Sequence, residues 1–196
     1  MSSRSARVER ATAETRIVVA IDLDGGGVST STGVPFFDHM LDQLGRHGRL
    51  GLTIDAQGDL EVDAHHTVED TGIAFGEALA GALGDKAGIR RYGDALVPME
   101  ESLAQVALDI SGRSLLVYDA DVPAEAIGQY DTVLTEEFFM ALTRAAGLTV
   151  HVRLLSAKNA HHAVEAIFKS FARALADAVA LDARMQGQIP STKGIL

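Results

Sequence analysis

The string His65-His66-Thr67-Val68-Glu69 returns 96 residues downstream as His161-His162-Ala163-Val164-Glu165. At the same spacing, Gly51-Leu52-Thr53-Ile54 returns as Gly147-Leu148-Thr149-Val150. Two unrelated blocks repeating at one offset mark an internal duplication. A chain duplicated in this way folds as two copies of one unit, and chemistry placed on one copy recurs at the equivalent place on the other.

The elements around the repeats follow the same order twice. Segments 6–13 and 14–24, rich in Val, Ile and Thr, read as strands closed by a turn at Asp24-Gly25-Gly26-Gly27. That glycine run lacks the Gly-Lys-Ser/Thr of a phosphate loop and reads as a plain turn. Phe36, Phe37, Met40, Leu41 and Leu44 recur at helical spacing behind Pro35, so Pro35 to His47 is expected to be a helix. A strand over 50–55 and an alanine-rich helix over 65–83 complete the first set. In the second, 95–118 reads as β-structure broken by a hairpin at Ser111-Gly112. A helix over 136–146, a strand over 148–155 and a long helix over 161–181 follow, and 187–196 forms a closing tail. These readings predict an α+β fold of two fused, duplicated half-domains, 1–94 and 95–196, integrated in one domain. Each is a small, mainly antiparallel sheet covered by two helices.

On a helix, residues four apart share a face and adjacent residues diverge by about 100°. His65 therefore sides with Glu69 and His161 with Glu165, while His66 and His162 point sideways. One helix cannot wrap all three ligands around one ion, so each adjacent histidine is expected to serve a second site. A pseudo-twofold arrangement gives one site His66, His161 and Glu165, and the other His162, His65 and Glu69. Aligning the preceding helices adds His39 and Glu137 as a fourth pair. Imidazole and carboxylate without thiolate suit Mn, Fe or Zn. His47 and His151 lie outside the doubled motif and read as ordinary histidines. Arg90-Arg91, Arg113, Lys169 and Ser191-Thr192-Lys193 are scattered candidates for an anion.

Composition narrows the partners. Seventeen basic residues against twenty-seven acidic ones leave a net charge of -10, which disfavours a nucleic-acid partner but not a small phosphorylated ligand in a local basic pocket. With no cysteine, disulfides, thiolate metal sites and cysteine nucleophiles are excluded, which fits a reducing cytoplasm. No apolar run approaches the roughly 18 residues of a membrane span, and 1–15 has no signal-peptide core.

The chain resembles the imidazoleglycerol-phosphate dehydratases of histidine biosynthesis from about Arg7 to Lys193. The resemblance is carried by Arg10-Ala11-Thr12-Ala13-Glu14-Thr15, by Thr32 to Leu41, and by Asp63 to Asp70. It continues through Gly88-Ile89-Arg90-Arg91-Tyr92-Gly93, Pro98-Met99-Glu100-Glu101, Asp109 to Arg113, Asn159 to Glu165, Phe168 to Leu175 and Ser191-Thr192-Lys193-Gly194. It implies a hydro-lyase converting imidazole glycerol phosphate to imidazole acetol phosphate with two Mn2+ per subunit, other divalent ions being possible. It also implies that one ion takes His39, His66, His161 and Glu165, and the other His65, Glu69, Glu137 and His162. Many relatives carry His where this chain has Glu137. By the same resemblance, Gln43, Arg91, Arg113, Lys169, Ser191 and Lys193 form the phosphate pocket and Glu14 lies near the substrate. The assembly it implies is a homo-oligomer of 24 subunits with active sites at subunit contacts.

The expected reaction has a specific difficulty: no carbonyl activates the C–H bond that must break. A metal-bound imidazolate could expel the hydroxyl on the attached carbon to give a diazafulvene. Loss of the adjacent proton would then yield an enol and finally the ketone. Glu14 and Glu165 are the expected proton carriers, in either order. Two rival readings remain: a dinuclear phosphatase, and a metal-storage or scaffold shell without catalysis.

Overall fold

In the first sheet, strand alternation sorts side chains between core and surface. The computed structural model describes residues 4–185, 187–194 and 196. Strand β1 (Ser5–Ala11) pairs antiparallel with β2 (Thr15–Asp22), which turns Ile17, Val19 and Ile21 into the core. After β3 (Val28–Ser31) and helix α1 (Pro35–Gly48), strand β4 (Gly51–Gly58) runs antiparallel to β2 and parallel to β3, giving the order β1-β2-β4-β3. Helix α2 (His65–Leu83) begins at the first histidine of the repeat.

The second half repeats this topology. Strands β5 (Tyr92–Met99), β6 (Ser102–Asp109) and β7 (Leu115–Asp119) precede a two-residue ladder of β8 (Ala126–Ile127) and β9 (Tyr130–Asp131). Helix α3 (Leu134–Ala146), strand β10 (Thr149–Ser156) and helix α4 (Ala160–Val179) follow, with a 3-10 turn at Ala183–Met185. The sheet order is β5-β6-β10-β7, with β7 parallel to β10 and the other pairs antiparallel. This is the expected pair of small, mainly antiparallel sheets with helices. Strand β5 starts at Tyr92, so residues 92–94 pair within the second sheet.

The hairpin expected at Ser111-Gly112 is not there. The reversal joins β5 to β6 at Glu100-Glu101, where Glu100 takes a positive φ of 52°. Ser111-Gly112 instead separates β6 from β7, which do not pair because β10 lies between them. Strand β3 carries little strand signal in the sequence because it is four residues long, mostly polar and half-exposed.

The helices cross over between halves. Helix α2 covers the first sheet and α4 the second, while α1 packs on α4 and α3 packs on α2. Phe138 of α3 is fully buried and meets Phe37 of α1 at 5.3 Å, Phe75 of α2 at 6.4 Å and Phe168 of α4 at 5.5 Å between ring centroids. One aromatic residue thus ties all four helices into one core. Helices α2 and α3 approach closely because Gly72 and Gly76 carry no Cβ. A Cβ at Gly76 would stand 2.6 Å from the Leu142 carbonyl oxygen.

Candidate metal centre and anion cleft

The α1–α4 contact sets His39 against the first turns of α4. Asn159 caps that helix, its side-chain oxygen accepting from the backbone N–H of His161 at 2.9 Å and of His162 at 3.4 Å. One turn on, Glu165 is 5% exposed. Its Oε2 lies 3.2 Å from His161 Nε2 and 3.4 Å from His39 Nε2. One ligand atom from each of the three falls within 4.8 Å of the others. Atoms bound about 2.1 Å from one ion stand no more than about 4.2 Å apart, so small side-chain adjustments close this group on a cation. Two imidazoles and a buried carboxylate are the donor set for Mn, Fe or Zn. The residues fit a divalent ion.

The remaining oxygen of Glu165, Oε1, receives a 2.6 Å ion pair from Lys169. Burial alone would raise the Glu165 pKa, but the Lys169 ammonium and the nearby His39 outweigh it and hold the carboxyl below its ordinary value. Glu165 is therefore an anion at neutral pH.

The first repeat shows the same helical pair, His65 Nε2 standing 3.7 Å from Glu69 Oε2. Among the described residues no third ligand joins it. Glu137 is half-buried in the first turn of α3. The adjacent histidines diverge as their spacing requires, with rings at 82° to their neighbours in both repeats. Nδ1 of His66 faces Asp59 at 3.0 Å and its Nε2 faces Glu14 at 3.8 Å, while Nδ1 of His162 faces Glu101 at 3.0 Å.

A single chain does not close the pseudo-twofold sites. His66 does not join His161 and Glu165, and His162 does not join His65 and Glu69. The helix crossover delivers α1, hence His39, to α4, whereas His66 and His162 turn toward acids on their own side of the fold.

Glu14 sits in the β1–β2 turn, where Thr12 Oγ1 accepts from the N–H of Glu14 at 3.1 Å and of Thr15 at 3.0 Å. The hairpin is anchored to α2 by buried Asp70, which receives Arg10 Nε at 2.8 Å and the Thr15 hydroxyl.

The six expected phosphate residues divide. Arg91, Arg113, Ser191 and Lys193 line an open cleft of about 830 Å³ under the tail. Gln43 bonds His47 at 3.1 Å, and Lys169 is held by Glu165. A single chain does not bring these two to the cleft. The backbone N–H of Arg91 donates to Ala178, nine residues beyond Lys169 on α4, or about 13 Å along a helix axis. Within the cleft, Arg91 donates from Nε to Asp109 at 2.7 Å and from Nη2 at 3.0 Å, and its Nη1 donates to the Pro190 carbonyl at 2.8 Å. It holds the tail, while the Arg113 side chain is 68% exposed. Arg90 points elsewhere, to Asp177 at 4.0 Å. His151 is exposed on β10.

Asp59, Glu101, Asp109 and the Arg10–Asp70 pair were not foreseen as partners. Only Glu101 carried a signal, since it immediately precedes β6 as Glu14 precedes β2.

A family model described as imidazoleglycerol-phosphate dehydratase matches residues 32–175. The imidazoleglycerol-phosphate dehydratase of Frankia casuarinae is 62% identical over 195 residues, covering 99% of this chain and 100% of the relative. That of Symbiobacterium thermophilum is 57% identical over 197 residues, covering 100% and 94%. A crystal structure of the dehydratase from Staphylococcus aureus superposes with a TM-score of 0.84 at 40% identity, covering 91% of this chain and 99% of that one. The Pyrococcus furiosus structure in complex with (S)-C348 gives 0.84 at 35% identity, covering 96% and 100%.

Proposed function

The chain belongs to the imidazoleglycerol-phosphate dehydratase family, the hydro-lyases of histidine biosynthesis, and from that premise we propose that it works with two divalent ions, manganese first among them. His39, His66, His161 and Glu165 would hold one ion, and His65, Glu69, Glu137 and His162 the other. The convergence of His39, His161 and Glu165 carries this reading. His66 and His162 turn away from these groups within one chain, so they would complete sites on neighbouring copies. That arrangement supports a homo-oligomer with active sites between subunits, which the family resemblance extends to a shell of 24. It suits the reducing cytoplasm that a cysteine-free chain tolerates, and among the described residues no helix is long and apolar enough to cross a membrane.

Bound ions would supply Lewis acidity at the substrate's ring nitrogens, easing loss of the ring N–H proton. The protein then has three tasks. The first is holding the phosphate: Arg113, Ser191 and Lys193 present charge and hydroxyl to the cleft, while Arg91 ties the tail that carries two of them. The second is delivering a proton to the hydroxyl that leaves the carbon next to the ring. The third is removing the proton from the adjacent carbon, so that the enol formed relaxes to the ketone. Glu14 and Glu165 carry these protons in our reading. Glu14 projects from an anchored turn with its side chain 53% exposed, while Glu165 is buried and ionised.

Incubation with imidazole glycerol phosphate tests the reading. The ultraviolet signal of imidazole acetol phosphate should grow without release of inorganic phosphate. Phosphate release without ketone would favour the phosphatase alternative, and metal binding with no turnover would favour a storage shell.

A further inference from the structure

The second histidine of each repeat has its Nδ1 against a carboxylate. His66 Nδ1 lies 3.0 Å from Asp59 Oδ2 and 3.2 Å from Oδ1, and His162 Nδ1 lies 3.0 Å from Glu101 Oε2. The two acids come from non-equivalent places: Asp59 follows β4, and Glu101 sits in the β5–β6 turn. The equivalent turn of the first half carries Glu14, which approaches His66 from the opposite side of the ring, 3.8 Å from Nε2. The two halves thus reach one arrangement at equivalent histidines with unrelated acids.

We propose that Asp59 and Glu101 are positioning residues for the metal sites, each accepting the Nδ1 proton of its histidine and thereby reserving Nε2 as the ligand atom. This inference rests on the reading of His66 and His162 as ligands. An ionised carboxylate only accepts hydrogen bonds, so the ring nitrogen facing it donates. A neutral imidazole that donates from Nδ1 keeps its lone pair on Nε2, and a divalent ion needs that lone pair. The same bond fixes the ring plane, which removes rotamer freedom before an ion arrives.

Glu101 is itself held in place. Its Oε1 accepts from the Asn159 backbone N–H at 2.9 Å, so the turn, the cap of α4 and the His162 ring form one hydrogen-bonded unit. In the first half Asp59 makes the Nδ1 bond, and Glu14, in the turn equivalent to that of Glu101, faces Nε2 at 3.8 Å instead.

The test is Mn2+ binding by the full-length protein, read from the electron-spin resonance of free Mn2+, for Asp59→Ala, Asp59→Asn, Glu101→Ala and Glu101→Gln. Each alanine variant should lose roughly 10- to 100-fold in affinity. Asn and Gln keep an acceptor oxygen and should recover most of that loss. Solid-state 15N spectra of histidine-labelled, metal-free protein should show protonated Nδ1 at both rings, and each alanine variant should lose it at its own ring. Alanine variants that bind as tightly as wild type, or wild-type rings protonated on Nε2, would overturn the tether while leaving the ligands standing. Wild-type protein that binds no Mn2+ would overturn the ligand reading itself.

Discussion

Lys169 and Glu165 are locked together one turn apart on α4, Nζ standing 2.6 Å from Oε1, while the other carboxylate oxygen faces His39 and His161. One side chain is thus divided between a cation that keeps it ionised and two imidazoles that share its free oxygen. Glu165→Gln removes the charge from both contacts. It should abolish metal retention at this group and lower turnover by roughly 10²- to 10⁴-fold. Lys169→Met should leave the three ligands in place and retain more metal than Glu165→Gln. Metal analysis beside steady-state kinetics separates the two, and equal metal loss in both would contradict the division.

The cleft under the tail predicts a different kinetic signature. Arg113→Ala removes an exposed guanidinium remote from the bonds that break, so KM should rise about 10- to 100-fold with kcat nearly unchanged. Arg91→Ala should raise KM as well and also free the tail, since Arg91 holds the Pro190 carbonyl. Limited proteolysis reads that release: faster cleavage beyond residue 185 is expected for Arg91→Ala and not for Arg113→Ala.

His47 makes stability depend on pH. Burial first, then the Lys169 and Arg173 cations, lower its pKa below 6.5, with Glu165 opposing. The native state therefore binds fewer protons than the unfolded chain near pH 6, and stability rises with pH through that window. As pH falls below 6.5 this contribution is lost. Thermal melts of wild type between pH 5 and 7 should slope more steeply than those of His47→Gln, and parallel slopes would contradict the assignment.

Gly76 sets the distance between α2 and α3. Its missing Cβ would stand 2.6 Å from both the Leu142 carbonyl oxygen and the Ala145 Cβ. Gly76→Val should cost about 3 kcal/mol, or a melting temperature lower by about 10 °C. An unchanged melting curve would mean that the helices separate freely.

The doubled motif was readable because its information is local. The four-residue spacing puts His161 with Glu165 on any helix, and the structure keeps that pair at 3.2 Å. The choice of third partner was not local. It depends on α1 packing against the helix of the other half: aligning the repeats offers both His39 and His66 to the His161–Glu165 pair, and only packing shows that one chain brings His39. The same spacing rule places Lys169, four residues beyond Glu165, on the face of that carboxylate. The carboxylates on His66 and His162 come from a loop and a hairpin turn whose positions no periodicity encodes. The reversal at Glu100-Glu101 carries no turn signal in the sequence, because it lacks glycine and asks Glu100 to take a positive φ.

Stripping the protein with a chelator and returning Mn2+ in known amounts, while following imidazole acetol phosphate, shows whether turnover needs the ions. Conversion should vanish in the stripped protein and return in full as two ions bind per chain. Undiminished conversion by metal-free protein would contradict that requirement.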